Sequence, residues 1–304
     1  MKNIVSVAGG KMAKTSDLPE CLDVIAEAGY KYIDFWLCSY SEAADSPMKQ
    51  DNWKEWVEWV KNLLAKRDLS VAQIHCHWRH RNQINEDFTY TFPNKAVRRN
   101  VEACRMLGCD RLIFHPIQRW FPFTDESMRR PILDANVEWF RSLLPLAEKF
   151  GVELHLENLF NHKHVGSPDD PIFPFSTVED IMYVVNALDS PLVKVCLDTG
   201  HANINGLDVP GMILAFGDKL GSLHLNDNYG KIGPIYEDLH LFPGYAKIDW
   251  KAVFSALEKI GYTGSLNMEP GVELDRMPHA VRVIQLRAAR ETVEAMRDLY
   301  TPGD

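Results

Sequence analysis

Short apolar runs recur along the chain, each followed by a polar stretch and then by apolar residues at helical spacing. The runs predict strands at 4–7, 32–36, 71–75, 111–115, 153–157, 193–197, 222–225 and 265–269. Their starts fall roughly 30–40 residues apart, the length of a strand, a loop and a helix. Between them, Trp53, Trp56, Val57, Val60, Leu63 and Leu64 form one stripe of a helix over 51–67. The same spacing predicts helices over 18–28, 95–107, 135–150, 177–188, 209–218, 250–260 and 278–299. Gly29, Gly108, Gly151 and Gly261 each follow a helical stretch, where a left-handed residue ends a helix.

Helix-to-strand connections are short, whereas the strand-to-helix connections 116–133, 158–176 and 226–249 are long. That asymmetry suits a single (β/α)8 TIM barrel over residues 1–304, with function in the loops at its C-terminal face. An open doubly wound sheet would place a glycine-rich phosphate loop after the first strand. Ala8-Gly9-Gly10-Lys11-Met12 stands there and matches no nucleotide fingerprint. The barrel is therefore the expectation.

Composition adds limits. Of 304 residues, 46% are apolar and 25% charged, which suits a globular chain. No apolar run is long enough to cross a membrane. The N-terminus lacks a signal-peptide pattern, and six scattered cysteines include no CxxC pair. A cytoplasmic address with reduced thiols is expected. The net charge of −9 argues against broad binding to nucleic acid or anionic membrane.

The strand ends carry the chemistry. His75 and His77 close the third run, His115 the fourth and Glu157 the fifth. Asp198 closes the sixth, with His201 three residues on; His224 and Asp227 close the seventh, and Glu269 the eighth. In a barrel these groups converge on one axis, and such charges repel unless paired or bound to a cation. Glu157, Asp198, His224 and Glu269 are the expected ligands of one divalent metal. Three carboxylates and one imidazole suit Mn²⁺ best, with Mg²⁺, Co²⁺ and Zn²⁺ as alternatives. His155 alternates with Glu157 on the same face and is a candidate interior histidine or extra base. Trp36, Trp78, Trp120, Phe121, Phe123, Phe160 and Phe173 fall in or near the strand-to-helix loops, where aromatic faces stack on sugars.

At these residues the sequence resembles the xylose isomerase-like superfamily, and within it the sugar phosphate isomerase/epimerase branch. The resemblance rests on Leu154-His155-Leu156-Glu157-Asn158, on Cys196-Leu197-Asp198-Thr199-Gly200-His201 and on Leu223-His224-Leu225-Asn226-Asp227-Asn228. The stretch from Asp238 and His240 through Pro243-Gly244-Tyr245-Ala246-Lys247-Ile248-Asp249-Trp250 extends it. It implies that Glu157, Asp198, His224 and Glu269 hold the metal, and that His201 and His240 contact substrate or a further metal. Asp238, His115, His77, Trp36 and His155 complete the expected substrate surface. Lys163, Gly230 and Ala246 depart from the pattern of ketose 3-epimerases in that branch.

The resulting expectation is a divalent-metal-dependent sugar isomerase or epimerase. Glu157 and Glu269 would exchange the proton α to a carbonyl through a metal-stabilised enediolate. Loss of a β-substituent after the same first step would make it a sugar lyase or dehydratase. The superfamily also contains zinc-dependent endonuclease IV-type phosphodiesterases, and the chain offers a candidate for each of their ligands. A small carbohydrate and a homo-oligomeric state are the expected partners.

Overall fold

A computed structural model describes residues 2–9, 17–41, 43–76, 84, 93–117, 126–160, 173–230, 238–271 and 274–301. His77, Trp78, Trp120, Phe121, Phe123 and Lys163 lie outside them.

Strands and helices alternate: β1 (Val5–Ala8), α1 (Leu18–Glu27), β2 (Tyr32–Trp36), α2 (Trp53–Ala65), β3 (Ser70–His75), α3 (Lys95–Met106) and β4 (Arg111–Phe114). The second half continues with α4 (Arg129–Arg141), α5 (Leu144–Phe150), β5 (Glu153–Glu157), α6 (Val178–Leu188), β6 (Val193–Asp198), α7 (Thr199–Ile204) and α8 (Val209–Phe216). It ends with β7 (Leu220–His224), α9 (Trp250–Lys259), β8 (Leu266–Met268) and α10 (His279–Tyr300). The eight described strands run in the order β7-β6-β5-β4-β3-β2-β1-β8, and all paired neighbours are parallel. The ring is completed just past β7, where Leu225 N–H donates to the Asn267 carbonyl at 2.7 Å. This is a (β/α)8 TIM barrel.

The elements form for local reasons. Asp17, Asn94, Thr177, Asp208 and Asp249 each accept a hydrogen bond from a backbone N–H in the first turn of the helix that follows. Gly29, Gly108, Gly151 and Gly261 all take positive φ, as expected of helix-ending residues. One expected helix is corrected. The segment 135–150 begins earlier, at Arg129, and divides into α4 and α5. Pro131 sits in the first turn, where its missing N–H costs little, and Pro145 opens α5.

Alternation along the strands separates two environments. Outward residues such as Val7, Ile33, Ile74, Leu156 and Val195 join the apolar layer beneath the helices. Phe114 of β4, for example, meets Trp139 and Phe140 of α4 edge-on, at 5.7 and 5.6 Å between centroids. The barrel interior is polar instead. Ser6, Asp34, Gln73, His155, Ser222 and Asn267 are fully buried there. They bond between neighbouring strands: Ser6 Oγ donates to Asn267 Oδ1 at 2.7 Å, and Gln73 Nε2 donates to Asp34 Oδ2 at 2.9 Å. Paired in this way, the donors avoid the ~1–3 kcal/mol cost of an unsatisfied buried group.

Candidate metal centre

β5, β6 and β7 end on charged residues, and Glu269 follows β8 directly. Parallel register places Asp198 opposite His224, and Glu157 opposite Cys196, two residues before Asp198 on the same face of β6. Single oxygen or nitrogen atoms of Glu157, Asp198, His224 and Glu269 all lie within 4.8 Å of one another, and all four residues are buried. His224 Nδ1 lies 3.1 Å from Glu157 Oε1, 3.4 Å from Glu269 Oε2 and 4.0 Å from Asp198 Oδ2.

A second group adjoins the first through Glu157. His75 Nε2 and His115 Nε2 approach its Oε2 at 3.3 and 3.2 Å. A third lies beside Asp198. His201 Nε2 is 3.7 Å from Asp238 Oδ2, and His240 Nε2 is 2.6 Å from the same oxygen. His240 holds φ 47°, a left-handed conformation that costs a non-glycine residue about 1 kcal/mol or more. Such strain is tolerated where the surroundings dictate the side chain's direction.

Burial and charge pull the acid–base groups apart. Burial would raise the Glu157 carboxyl, but the His224 and His115 rings beside it hold it well below the carboxylate range. Burial likewise opposes a charge on His224 and His201. The groups around them win: the Cys196 thiol and the carboxylates of Glu269 and Glu157 raise His224 well above its usual value, and Asp198, Asp238 and Glu157 raise His201 to about 10. Asp198 is raised by burial and by the neighbouring charges of Asp238, Glu157 and Glu269, which outweigh His201. Without a cation, these carboxylates draw protons onto His224 and His201, while burial lowers His115. A divalent cation is the other way to neutralise the cluster.

The donor set fits such an ion. Three of the histidines have their remote nitrogen held by an acceptor, leaving the other directed at carboxylates. His75 Nδ1 donates to the Cys76 carbonyl at 2.9 Å and His201 Nδ1 to the Asn158 carbonyl at 2.8 Å. His224 Nε2 faces Asp34 Oδ2 at 3.3 Å. This outer ring of acceptors is how ligating histidines are oriented. Glu157 Oε2 and Asn226 Oδ1 are buried without a well-aligned hydrogen-bond donor. Glu157, Asp198, His224 and Glu269 would therefore hold the cation.

The family model for the xylose isomerase-like TIM barrel matches residues 22–299. The chain belongs to that family. Within this xylose isomerase-like family it is similar to D-psicose 3-epimerase of Ruminiclostridium cellulolyticum, 29% identical over 191 residues. That match covers 60% of this chain and 59% of the relative. It is also similar to inosose isomerase of Bacillus velezensis, 27% identical over 203 residues and 66% of each protein. The chain thus spans less than two thirds of the length of these relatives. Among solved structures, a D-tagatose 3-epimerase-like protein superposes with a TM-score of 0.71 at 19% identity, over 98% of this chain and 100% of that one. The structure of IOLI protein with a zinc atom gives 0.72 at 18% identity, over 99% and 100%. At these identities the structural likeness speaks to the fold.

Of the other residues anticipated at the substrate, Trp36 packs against the His75 ring at 5.0 Å between centroids, and Phe160 against His201 at 4.8 Å. His77 lies outside the described residues; His75, two positions earlier, is the one beside Glu157. His155 is not brought to the cluster. Its Nδ1 meets Ser222 Oγ at 2.8 Å and its Nε2 meets Glu153 Oε2 at 3.0 Å. It shares a face with Glu157 but lies two residues, roughly 6.6 Å, deeper in the barrel. Burial lowers its pKa despite Glu153, so it stays neutral.

Sequence reasoning overlooked Asp34 and Asn226. Asn226 Nδ2 donates to Asp198 Oδ2 at 2.6 Å and reaches Glu269 Oε2 at 3.2 Å. The signal for Asp34 was a lone charge inside an apolar strand, Tyr32-Ile33-Asp34-Phe35-Trp36. Asp227, read at a strand end, turns away to organise a loop. Its carboxylate accepts from the backbone N–H groups of Gly244, Ala246 and Ile248 and from the Trp250 indole.

Proposed function

We propose that the protein is a divalent-metal-dependent isomerase or epimerase of a small polyhydroxy ketone, a sugar or a cyclic polyol. The observation that carries the reading is the pairing of Glu157 and Glu269, both buried and both directed at His224. Psicose epimerisation and inosose isomerisation, named for the relatives, share a carbonyl flanked by a carbon bearing a hydroxyl and an exchangeable proton.

A cation held by Glu157, Asp198, His224 and Glu269 supplies positive charge that polarises the substrate carbonyl. Glu157 and Glu269 take the two proton-transfer roles, one removing the α-proton and the other delivering a proton to the opposite face or the neighbouring atom. His201 and His240 orient hydroxyls. Trp36 and Phe160, packed on site histidines, would supply the apolar surface on which a sugar face stacks. Mn²⁺ is the favoured metal, in keeping with a carboxylate-rich donor set. A single domain, a homo-oligomer, a cytoplasmic address and a carbohydrate rather than nucleic acid as partner belong to the same reading.

The test is solvent exchange. In D₂O with Mn²⁺, the protein should wash deuterium into D-psicose, D-tagatose or an inosose. Glu269→Gln should abolish the exchange. Exchange at the wild-type rate in that variant would remove Glu269 from the reaction.

One observation favours a second reading. His75, His115 and Glu157 form another candidate set within 4.8 Å, and His201, Asp238 and His240 cluster alongside. By the resemblance, these residues would take the additional ligand positions of the endonuclease IV-type phosphodiesterases. Elemental analysis of tag-free protein separates the two. A single Mn, Co or Mg per chain supports the isomerase. Two or three Zn per chain, with nicking of abasic-site DNA, supports the phosphodiesterase.

A further inference from the structure

Asp34 is fully buried in the barrel interior. It points inward by the alternation of β2, and an irregularity sets its partner: β2 and β3 pair Ile33 with Val71 but Asp34 with Gln73, skipping Ala72, which brings Gln73 and His75 to the same inner face. Such bulges re-aim side chains beside functional sites. Four donors converge on the one carboxylate. Oδ1 accepts from the His75 backbone N–H at 3.1 Å. Oδ2 accepts from Gln73 Nε2 at 2.9 Å and Asn267 Nδ2 at 3.1 Å, and it faces His224 Nε2 at 3.3 Å. The two amides are themselves fixed: Gln73 Nε2 also donates to the Leu223 carbonyl at 3.2 Å, and Asn267 Oδ1 accepts from Ser6.

A buried carboxylate among neutral amides is expensive and adds little to stability beyond what an apolar side chain of its size would give. Its value lies in what it directs. A carboxylate accepts, so when a cation displaces the second proton the His224 nitrogen beside Asp34 keeps its own, and the lone pair falls on Nδ1. Nδ1 is the nitrogen facing Glu157, Glu269 and Asp198.

We propose that Asp34 is the positioning residue of the centre: it accepts the His224 Nε2–H and so aims Nδ1 at the ion. Through the His75 N–H it also seats the histidine next to Glu157. The inference rests on the cluster being a metal centre, and its test keeps the two apart.

The test uses Zn²⁺ as a diamagnetic probe and ¹⁵N-histidine labelling of the full chain, with His224 assigned by its loss in His224→Gln. In the wild type, His224 should ligate Zn²⁺ through Nδ1 and keep its proton on Nε2. Asp34→Asn should retain the fold by circular dichroism. It should shift or lose that Nε2–H signal and bind Zn²⁺ about 10–100-fold more weakly. Zn²⁺ affinity within twofold of wild type in a folded variant overturns the proposal. So does a wild-type His224 whose Nε2 carries no proton, a measurement that decides the matter even where Asp34→Asn fails to fold. If wild-type protein binds no Zn²⁺, the metal reading fails, and the Nε2–H signal of the metal-free protein, present in wild type and altered in Asp34→Asn, still decides the role of Asp34.

Discussion

The side-chain amide of Asn226 donates to Asp198 Oδ2 at 2.6 Å, inside a cluster where Asp198 already spends its other oxygen on the His201 backbone N–H at 2.8 Å. The same amide nitrogen reaches Glu269 at 3.2 Å, so a neutral group holds two carboxylates in place. Both are expected ligands, and a ligand free to rotate loses the preorganisation that makes it bind. Asn226→Ala should therefore weaken Mn²⁺ binding about 10–100-fold, as for other groups that orient ligands. Competition against a chelator measures this. Unaltered affinity would mean that Asp198 and Glu269 are oriented without Asn226.

Asp227 anchors the segment that delivers Asp238 and His240. Its carboxylate accepts from three backbone N–H groups between 244 and 248 and from Trp250 Nε1 at 2.9 Å. Asp227→Ala leaves those donors facing a cavity. The expected loss is about 3 kcal/mol in urea unfolding, since a buried neutral donor left unsatisfied costs ~1–3 kcal/mol. Asp227→Asn keeps one oxygen and should lose less. A loss under ~1 kcal/mol for the alanine variant would show that water replaces the carboxylate.

Much of this arrangement was legible in the chain, for a physical reason. Strands 32–36 and 153–157 fall where periodicity placed them, because apolar alternation reports a half-buried surface directly. Glu157, Asp198 and Glu269 stood out because each ends an apolar run, and the barrel's geometry gathers strand ends. Depth along the axis was not legible. His155 and Glu157 share a face, and only the folded register shows that one lies beneath the other. Asp34 was hidden because its role depends on a skipped residue opposite it in β3. Asn226 is neutral, and a search for charges passes over it. The division of 135–150 was hidden because proline is tolerated in a first turn as well as excluded from a helix interior.

His155 gives a pH dependence with a definite sign. It is buried, and burial lowers its pKa below the ordinary histidine value. The unfolded chain then takes up its proton first as pH falls, so the histidine's contribution to stability is full above about pH 6.5 and declines below it. Replacing it with glutamine removes that titration. In urea unfolding between pH 7 and pH 5, the stability difference between wild type and His155→Gln should shift toward the variant as the pH falls. A difference constant with pH would show that His155 titrates alike in both states.

Metal loading should stabilise the fold, because the ligands come from the ends of four strands or their immediate continuation and converge only in the closed barrel. An ion that binds only the native state at a hundred times its dissociation constant adds about 2.7 kcal/mol. For a chain of this length that corresponds to a rise of roughly 5 °C in the melting temperature. EDTA should reverse the rise. Glu157→Gln should shrink it, since Glu157 is shared by the four-ligand set and by the group with His75 and His115. A melting temperature indifferent to Mn²⁺, Co²⁺, Mg²⁺ and Zn²⁺ in the wild type would show that the protonated histidines, not a cation, neutralise these carboxylates.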